Sequence, residues 1–95
     1  MKSKTLIDGN GVEHLIYHCP GCKHNHSVPT ERWNWNRSVE SPTLSPSVRH
    51  FFPAIKNIPE ETICHYFIKN GNIEFCGDCK HDLKGQIVEL PEVQD

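Results

Sequence analysis

The sequence lacks an apolar run of signal-peptide length and any stretch long enough to cross a membrane. We therefore expect a cytoplasmic protein with no membrane partner. Strong charge of one sign is also missing: 10 basic and 12 acidic residues give a net charge of −2, so no nucleic-acid partner is expected. The 95 residues contain no internal repeat and suit a single domain, 1–95, in which we expect residues 1–4 and 92–95 to be frayed.

Hydrophobic residues are scarce, at 36% of the chain, so the protein can build only a thin core. Small domains with thin cores are commonly held together by disulfides or by a metal ion. The chain has 5 cysteines and 7 histidines that could serve this purpose. Thiols stay reduced in the cytoplasm, and an odd number of cysteines argues against complete disulfide pairing. The mixture of thiol and imidazole therefore predicts a structural zinc ion as the cofactor.

Turn-forming dipeptides and β-branched residues predict a mainly β fold, a small domain of antiparallel hairpins with little helix. Five of the 7 prolines lie between residues 29 and 62, which excludes long helices there and predicts extended segments and loops. Asp8-Gly9-Asn10-Gly11 and Asn70-Gly71 tolerate the positive φ of a tight hairpin turn. The predicted strands are residues 5–7, 12–17, 25–28, 62–69, 72–76 and 86–90.

The hairpin around Asn70-Gly71 assigns side chains to faces, because successive residues of a strand point to opposite sides. With these two residues at the centre of the turn, His65 lies opposite Cys76. One face is predicted to carry Cys64, Tyr66, Ile68, Ile73, Phe75 and, if the extended path continues, Cys79. The other face is predicted to carry His65, Phe67, Lys69, Asn72, Glu74, Cys76 and Asp78.

The motif Cys19-Pro20-Gly21-Cys22 has the form of a zinc knuckle, in which two residues between the thiolates let both sulfurs reach one ion. Cys64 and Cys79 project from one face near the open end of the hairpin around Asn70-Gly71, where they could complete a tetrahedral site. We therefore predict zinc bound by Cys19, Cys22, Cys64 and Cys79. The alternative ligands are His81 for a late cysteine and His24 or His26 for an early one.

The opposite face of the same hairpin brings His65 and Asp78 together, an imidazole and a carboxylate that resemble the base and orienting group of a hydrolytic triad. A nucleophile could come from Ser45, because the proline that follows it confines Ser45 to extended conformations. Ser47 is two residues further along and would point to the same side of an extended segment, so it is the alternative nucleophile. The thiol of Cys76, opposite His65, is a further candidate.

The segment Trp33-Asn34-Trp35-Asn36 alternates apolar and polar residues, so an extended path places both indoles on one face. We expect both tryptophans to anchor the core rather than to line a substrate groove. Asn36 could donate to an oxyanion if it lies close to the serine-containing segment.

The combined motifs resemble a family of small phage and bacterial zinc-binding proteins of unknown function, some encoded beside bacterial ubiquitin-like conjugation genes. The resemblance covers most of residues 15–91 and implies a metal-binding β domain with serine-peptidase activity on ubiquitin-like protein tails, in a bacterial cell and either bacterial or phage-encoded. The motifs that carry it are residues 17–22 with His26, 33–36, 42–47, 64–68 and 78–81 followed by 85–88. By position it implies the Ser45 segment, His65 and Asp78 as catalytic residues and Cys19, Cys22, Cys64 and Cys79 as zinc ligands. The chain departs from the pattern at Cys76, Lys80 and Lys84, where an apolar residue, a hydroxyl and a small residue are usual.

From these patterns we predict a zinc-stabilised hydrolase, a serine peptidase or esterase whose partner is an extended protein tail such as a ubiquitin-like C-terminus. In this hypothesis His65 takes the proton of Ser45 and Asp78 holds the imidazole in the correct tautomer. The main alternative is a non-catalytic, zinc-ribbon-like phage adaptor that binds a protein through the tryptophan face. A further alternative is a hydrolytic zinc held by His26, His65 and His81.

Overall fold

The computed structural model of the chain describes residues 1–93, in which eight strands form two antiparallel sheets. The first sheet has the order β1-β2-β3 and the second the order β4-β5-β6-β7-β8. The strands are β1 (Lys4–Ile7), β2 (Glu13–Cys19), β3 (His24–Pro29), β4 (Asn34–Trp35), β5 (Leu44–Phe52), β6 (Glu61–Lys69), β7 (Asn72–Phe75) and β8 (Ile87–Glu89). One 3-10 turn, Thr30–Arg32, joins the sheets, so the predicted mainly β class with little helix is confirmed.

The second predicted hairpin has the predicted register. Lys69 pairs with Asn72 and Tyr66 with Phe75, around a turn in which Asn70 and Gly71 have φ of 50° and 81°. A positive φ at both central residues matches the twist of the flanking strands, which explains the Asn-Gly sequence. The face assignment holds as well, since all members of the predicted inner face are buried: Cys64, Tyr66, Ile68, Ile73, Phe75 and Cys79.

The core joins the two sheets. From the first sheet Leu15, Tyr17 and Val28 are buried, and they belong to the same cluster as the inner face of the second hairpin. Trp33 and Trp35 are partly buried and pack against this cluster, as expected for core anchors. Burial of apolar surface from both sheets therefore stabilises their packing against each other.

The proline-rich middle of the chain, which we predicted to form extended segments and loops, contains the nine-residue strand β5 between β4 and β6. The pairing is interrupted by a bulge: Leu44 pairs with Ile68 and Val48 with Tyr66, so residues 45–47 oppose a single residue of β6. Pro46 has no N–H to donate to a ladder, and within the bulge it needs none. This is why a proline is compatible with an inner strand here.

The N-terminal residues make defined contacts with the rest of the described chain. Ser3 is buried, and both its N–H and its hydroxyl donate to the carbonyl of Val39, at 3.0 and 2.8 Å. The amino group of Met1 pairs with Glu92, and the N–H of Val93 donates to the Met1 carbonyl at 2.9 Å. The two ends of the described chain therefore hold each other, while residues 94 and 95 lie outside the described residues.

Among residues 1–93 no helix is long and apolar enough to span a membrane.

Candidate functional site

Three polar side chains meet on the outer face of the second sheet. The Ser47 hydroxyl lies 3.1 Å from Nε2 of His65. On the other side of the ring, Nδ1 of His65 lies 3.3 Å from Oδ1 and 3.4 Å from Oδ2 of Asp78. Hydroxyl, imidazole and carboxylate thus follow one another in the order that a nucleophile, its base and an orienting acid require.

Each of these side chains is positioned by a different element. His65 lies on β6, the central strand of the sheet, and Ser47 lies in the bulge of β5. The indole N–H of Trp33 donates to the Ser47 carbonyl at 3.4 Å and so contacts the bulge from the side of β4. Asp78 follows β7 in a turn closed by the N–H of Cys79, which donates to the carbonyl of Cys76 at 3.4 Å.

The bulge gives Ser47 and Ser45 different surroundings, whereas alternation along a regular strand would place both on the same face. Ser45 is exposed and pairs with Asn34 of β4. Within residues 1–93 its hydroxyl makes no hydrogen bond to His65, whereas the half-buried Ser47 does. Bulges commonly re-aim a side chain in this way. The structure therefore brings the alternative nucleophile, Ser47, to the imidazole.

The side-chain amide of Asn36 is engaged in its own loop. Its Nδ2 donates to the Ser41 carbonyl at 3.0 Å, and its Oδ1 accepts the N–H groups of Ser38 and Thr43, both at 3.1 Å. The described contacts of Asn36 thus support the loop that leads into β5. Its use as an oxyanion donor remains a prediction.

Cys76 lies beside the same imidazole. The Sγ atom of Cys76, a ring nitrogen of His65 and a carboxylate oxygen of Asp78 all lie within 4.8 Å of one another. Burial, followed by the nearby carboxylate of Asp78, raises the pKa of the Cys76 thiol. Since the thiolate is the nucleophilic form of cysteine, this environment makes the Cys76 thiol less reactive than an ordinary one.

A second cluster lies on the inner face and joins the two sheets. Ligand atoms of Cys19, Cys22, His26 and Cys64 all lie within 4.8 Å of one another. Cys19 ends β2, Cys22 lies in the following turn, His26 is on β3 and Cys64 is on β6. The N–H of Cys22 donates to Sγ of Cys19 at 3.3 Å, as the knuckle motif predicts. We call these four residues the thiol cluster.

The donor set of the thiol cluster fits a metal ion. Nε2 of His26 is buried and has no hydrogen-bond partner within residues 1–93, a costly arrangement that a bound ion would relieve. A hydrogen bond from Cys64 lowers the pKa of Cys19 to about 3, while the pKa of Cys64 is raised in return. Burial raises the pKa of Cys22 to about 11. Negative charges on three adjacent thiolates would repel one another, and a bound cation would offset that repulsion. Three thiols and an imidazole are a donor set typical of tetrahedral zinc.

The fourth member of this cluster is His26, an alternative ligand in our prediction, and not Cys79. The Sγ atoms of Cys64 and Cys79 instead form a second close group with a nitrogen of His81. Nε2 of His81 lies 3.4 Å from Sγ of Cys64, and its ring packs so tightly over Gly21 that a Cβ there would lie 2.2 Å from it. The assignment of Cys79 as a zinc ligand remains a prediction.

The three histidines of the alternative hydrolytic site lie in three different groups. Among the described residues His26 belongs to the thiol cluster, His81 to the group of Cys64 and Cys79, and His65 to the outer face. That arrangement gives no support to a common zinc site of these histidines.

His50 is a site neighbour that the sequence did not indicate. Its ring stacks on His26 with centroids 4.0 Å apart, and its Nε2 lies 2.9 Å from the hydroxyl of Tyr66. Burial lowers the pKa of His50 to about 4, so the ring stays neutral beside His26. No local pattern marked this residue, because the strand that carries it, β5, was itself unpredicted.

Comparison with known proteins found one family. A model of the family described as "Bacterial ubiquitination-like system serine protease (BubE)" matches residues 1–76, which is most of the chain. Neither the curated proteins nor the solved structures that were searched contain a match.

Proposed function

Because the chain belongs to the family of bacterial ubiquitination-like system serine proteases, BubE, we propose that it hydrolyses an acyl bond with Ser47 as the nucleophile. His65 is then the general base and Asp78 the group that orients it. The observation that carries this proposal is the position of the His65 ring, 3.1 Å from the Ser47 hydroxyl on one side and 3.3 Å from Asp78 on the other. Ser47 replaces Ser45, which our sequence analysis favoured.

In the proposed reaction Ser47 Oγ attacks the substrate carbonyl and its proton passes to Nε2 of His65. Asp78 accepts the Nδ1–H of the ring and stabilises the resulting imidazolium. The ring then gives its proton to the leaving amine or alcohol, which departs and leaves an acyl-serine. Water attacks this ester, His65 takes the proton of the water and returns it to Ser47, and the acid product leaves.

Backbone N–H groups are the proposed donors to the oxyanion. The side-chain amide of Asn36 is engaged within its loop, whereas the bulge at residues 45–47 interrupts the ladder between β5 and β6. Extra residues in a bulge commonly leave ladder groups unpaired, so the proposed donor is a backbone N–H of the bulge close to Ser47.

The proposed substrate is an extended protein tail, such as the C-terminal segment of a ubiquitin-like protein. The family description names a ubiquitination-like system, which supports a protein substrate. The side chains of His65 and Asp78 are 27% and 50% exposed on an open sheet face, and Phe67, 38% exposed, lies two residues from His65 on the same face. An extended chain can lie across such a face, with apolar contact to the Phe67 ring.

We further propose that zinc occupies the thiol cluster in a structural role. Four protein ligands leave no open position for substrate or water, which is typical of structural sites. The ligands come from both sheets, so the bound ion would cross-link them. Structural zinc sites contribute about 10 kcal/mol of apparent binding free energy, comparable with the total stability of a small domain.

A non-catalytic adaptor that binds partners through its tryptophans has less support. The indole N–H groups of Trp33 and Trp35 donate to the carbonyls of Ser47 and Ser38, and both rings pack against the core. Their contacts are therefore largely internal.

The proposal is tested by comparing Ser47→Ala with the matched variant Ser45→Ala. Labelling by a fluorophosphonate probe and hydrolysis of a ubiquitin-like protein carrying a C-terminal extension are measured for both. We expect Ser47→Ala to lose labelling and at least about 10³-fold in kcat, while Ser45→Ala retains both. Labelling at Ser45, or at no serine of a zinc-loaded, folded protein, would contradict the assignment, and the second result would favour the adaptor.

A further inference from the structure

His65, Cys76 and Asp78 lie together on the outer face of the second sheet, and the proposed reaction does not use Cys76. Serine hydrolysis needs Ser47, His65 and Asp78, yet the Cys76 thiol lies within 4.8 Å of the ligand atoms of both His65 and Asp78. We propose that His65, Cys76 and Asp78 form a second, exchangeable site for a divalent transition metal such as Zn²⁺, and that its occupation switches hydrolysis off. The inhibitory consequence rests on the proposed function, whereas metal binding does not.

The backbone holds these ligands in place without a metal. The N–H of Cys76 donates to the carbonyl of His65 at 2.9 Å, which continues the pairing of β6 with β7 by one residue. The turn that follows is closed by the hydrogen bond from Cys79 to Cys76 and returns Asp78 to the same face. Two ligands thus come from one turn and the third from the adjacent strand.

The donors are those that zinc prefers. Thiolate, imidazole and carboxylate are its three common protein ligands, and sites with three protein ligands keep a fourth position for water. All three residues are partly or fully exposed, so an ion can enter from solution. This differs from the thiol cluster, where three of the four ligands are buried. We therefore expect the thiol cluster to retain its ion when the outer site releases its own.

Occupation of the outer site is incompatible with base catalysis. Binding of the ion displaces the thiol proton of Cys76 to solvent, since a coordinating thiol is deprotonated. An imidazole that coordinates a metal through one nitrogen keeps its proton on the other, so neither nitrogen can accept the proton of Ser47. Asp78 is engaged by the same ion and no longer orients the ring. One binding event would thus remove both the base and its orienting group.

The test uses protein whose tightly bound zinc has been retained through dialysis against a weak chelator. Zn²⁺ is then titrated against the wild type, Cys76→Ala and, as a matched control, Ser45→Ala. We expect the wild type and the control to bind one additional ion and to lose at least about 10-fold in kcat/KM, reversibly on addition of the weak chelator. Cys76→Ala should keep its activity without added zinc and should bind the additional ion far more weakly. Loss of an outer-shell partner lowers metal affinity by about 10–100-fold, and we expect loss of a direct ligand to lower it by more.

Co²⁺ provides a readout that does not depend on activity. Thiolate coordination gives Co²⁺ a charge-transfer absorption, and we expect an additional band in the wild type that Cys76→Ala lacks. If Cys76→Ala does not fold, Cys76→Ser serves in its place. Equal stoichiometry and affinity in wild type and variant would overturn the proposed site, and activation by added Zn²⁺ would overturn the switch. If the protein hydrolyses no substrate, the stoichiometry and the Co²⁺ band still decide whether the site exists.

Discussion

The thiol of Cys79 makes hydrogen bonds to both backbone polar groups of His65: its Sγ accepts the His65 N–H at 3.2 Å and donates to the His65 carbonyl at 3.1 Å. The preceding residue, Cys64, belongs to the thiol cluster, so adjacent residues of β6 serve opposite faces of the sheet. The position of the imidazole on the outer face is thereby tied to sulfur atoms on the inner face. Displacement of these sulfurs would move His65 relative to Ser47.

Replacement of Asp78 by Asn should reduce kcat by about 10⁴-fold, because an amide in place of the carboxylate holds the imidazole in the wrong tautomer. The measurement is steady-state hydrolysis of a peptide ester, with zinc content as a check on folding. Glu74→Gln is the matched control, since Glu74 lies on the same face but pairs with Lys69 at 3.8 Å. Equal activity of Asp78→Asn and Glu74→Gln would exclude Asp78 as the orienting group.

His26 and Cys79 are the two candidates for the fourth zinc ligand, and metal content can decide between them. We expect His26→Ala to lose the zinc that survives dialysis and to unfold under milder conditions. The variant lacks the buried Nε2 of His26, which has no hydrogen-bond partner among the described residues and would be the fourth ligand. Cys79→Ala should retain that zinc. Loss of zinc from Cys79→Ala and its retention by His26→Ala would restore the four-thiolate site.

The buried hydroxyls of Tyr17 and Tyr66, 2.6 Å apart, couple the two sheets through a polar contact inside the core. The Tyr66 hydroxyl also contacts Nε2 of His50 at 2.9 Å, so Tyr66→Phe deprives two groups of a partner. We expect Tyr66→Phe to lower the free energy of unfolding by about 1–3 kcal/mol and Tyr17→Phe to cost less. In urea unfolding, the double variant should cost less than the sum of the two single changes. Additive effects would show that the hydroxyls are not coupled.

The ion pair between Glu13 of β2 and Arg37 predicts a pH dependence of stability. A hydrogen bond from Arg37 lowers the pKa of Glu13 below its ordinary value of 4.5. The folded protein therefore binds the Glu13 proton less readily than the unfolded chain, so this stabilisation is present at neutral pH and lost on acidification through the lowered pKa. Glu13→Gln should lower the urea midpoint slightly at pH 7, and the difference from wild type should shrink towards about pH 3. Glu31→Gln, a change at an exposed position, should alter the midpoint at neither pH.

Several elements could be predicted because their causes are local. The Asn70-Gly71 turn sets the register of its hairpin, and alternation along β6 then places Cys64 and His65 on opposite faces. The knuckle at Cys19-Pro20-Gly21-Cys22 likewise follows from spacing alone. Strand β5 was not predictable in this way, because Pro46 argues against an inner strand and only the partner strands supply the bulge that accommodates it.

The sequence by itself therefore determined the mainly β fold, the register of the second hairpin and the meeting of His65 with Asp78, all of which depend on neighbours within about a dozen residues of each other. Only the tertiary structure decided that Ser47, and not Ser45, reaches His65, and that His26 joins Cys19, Cys22 and Cys64. Both choices depend on how strands distant along the chain pack together. Residue type and parity are the same for the two serines, so packing alone can distinguish them.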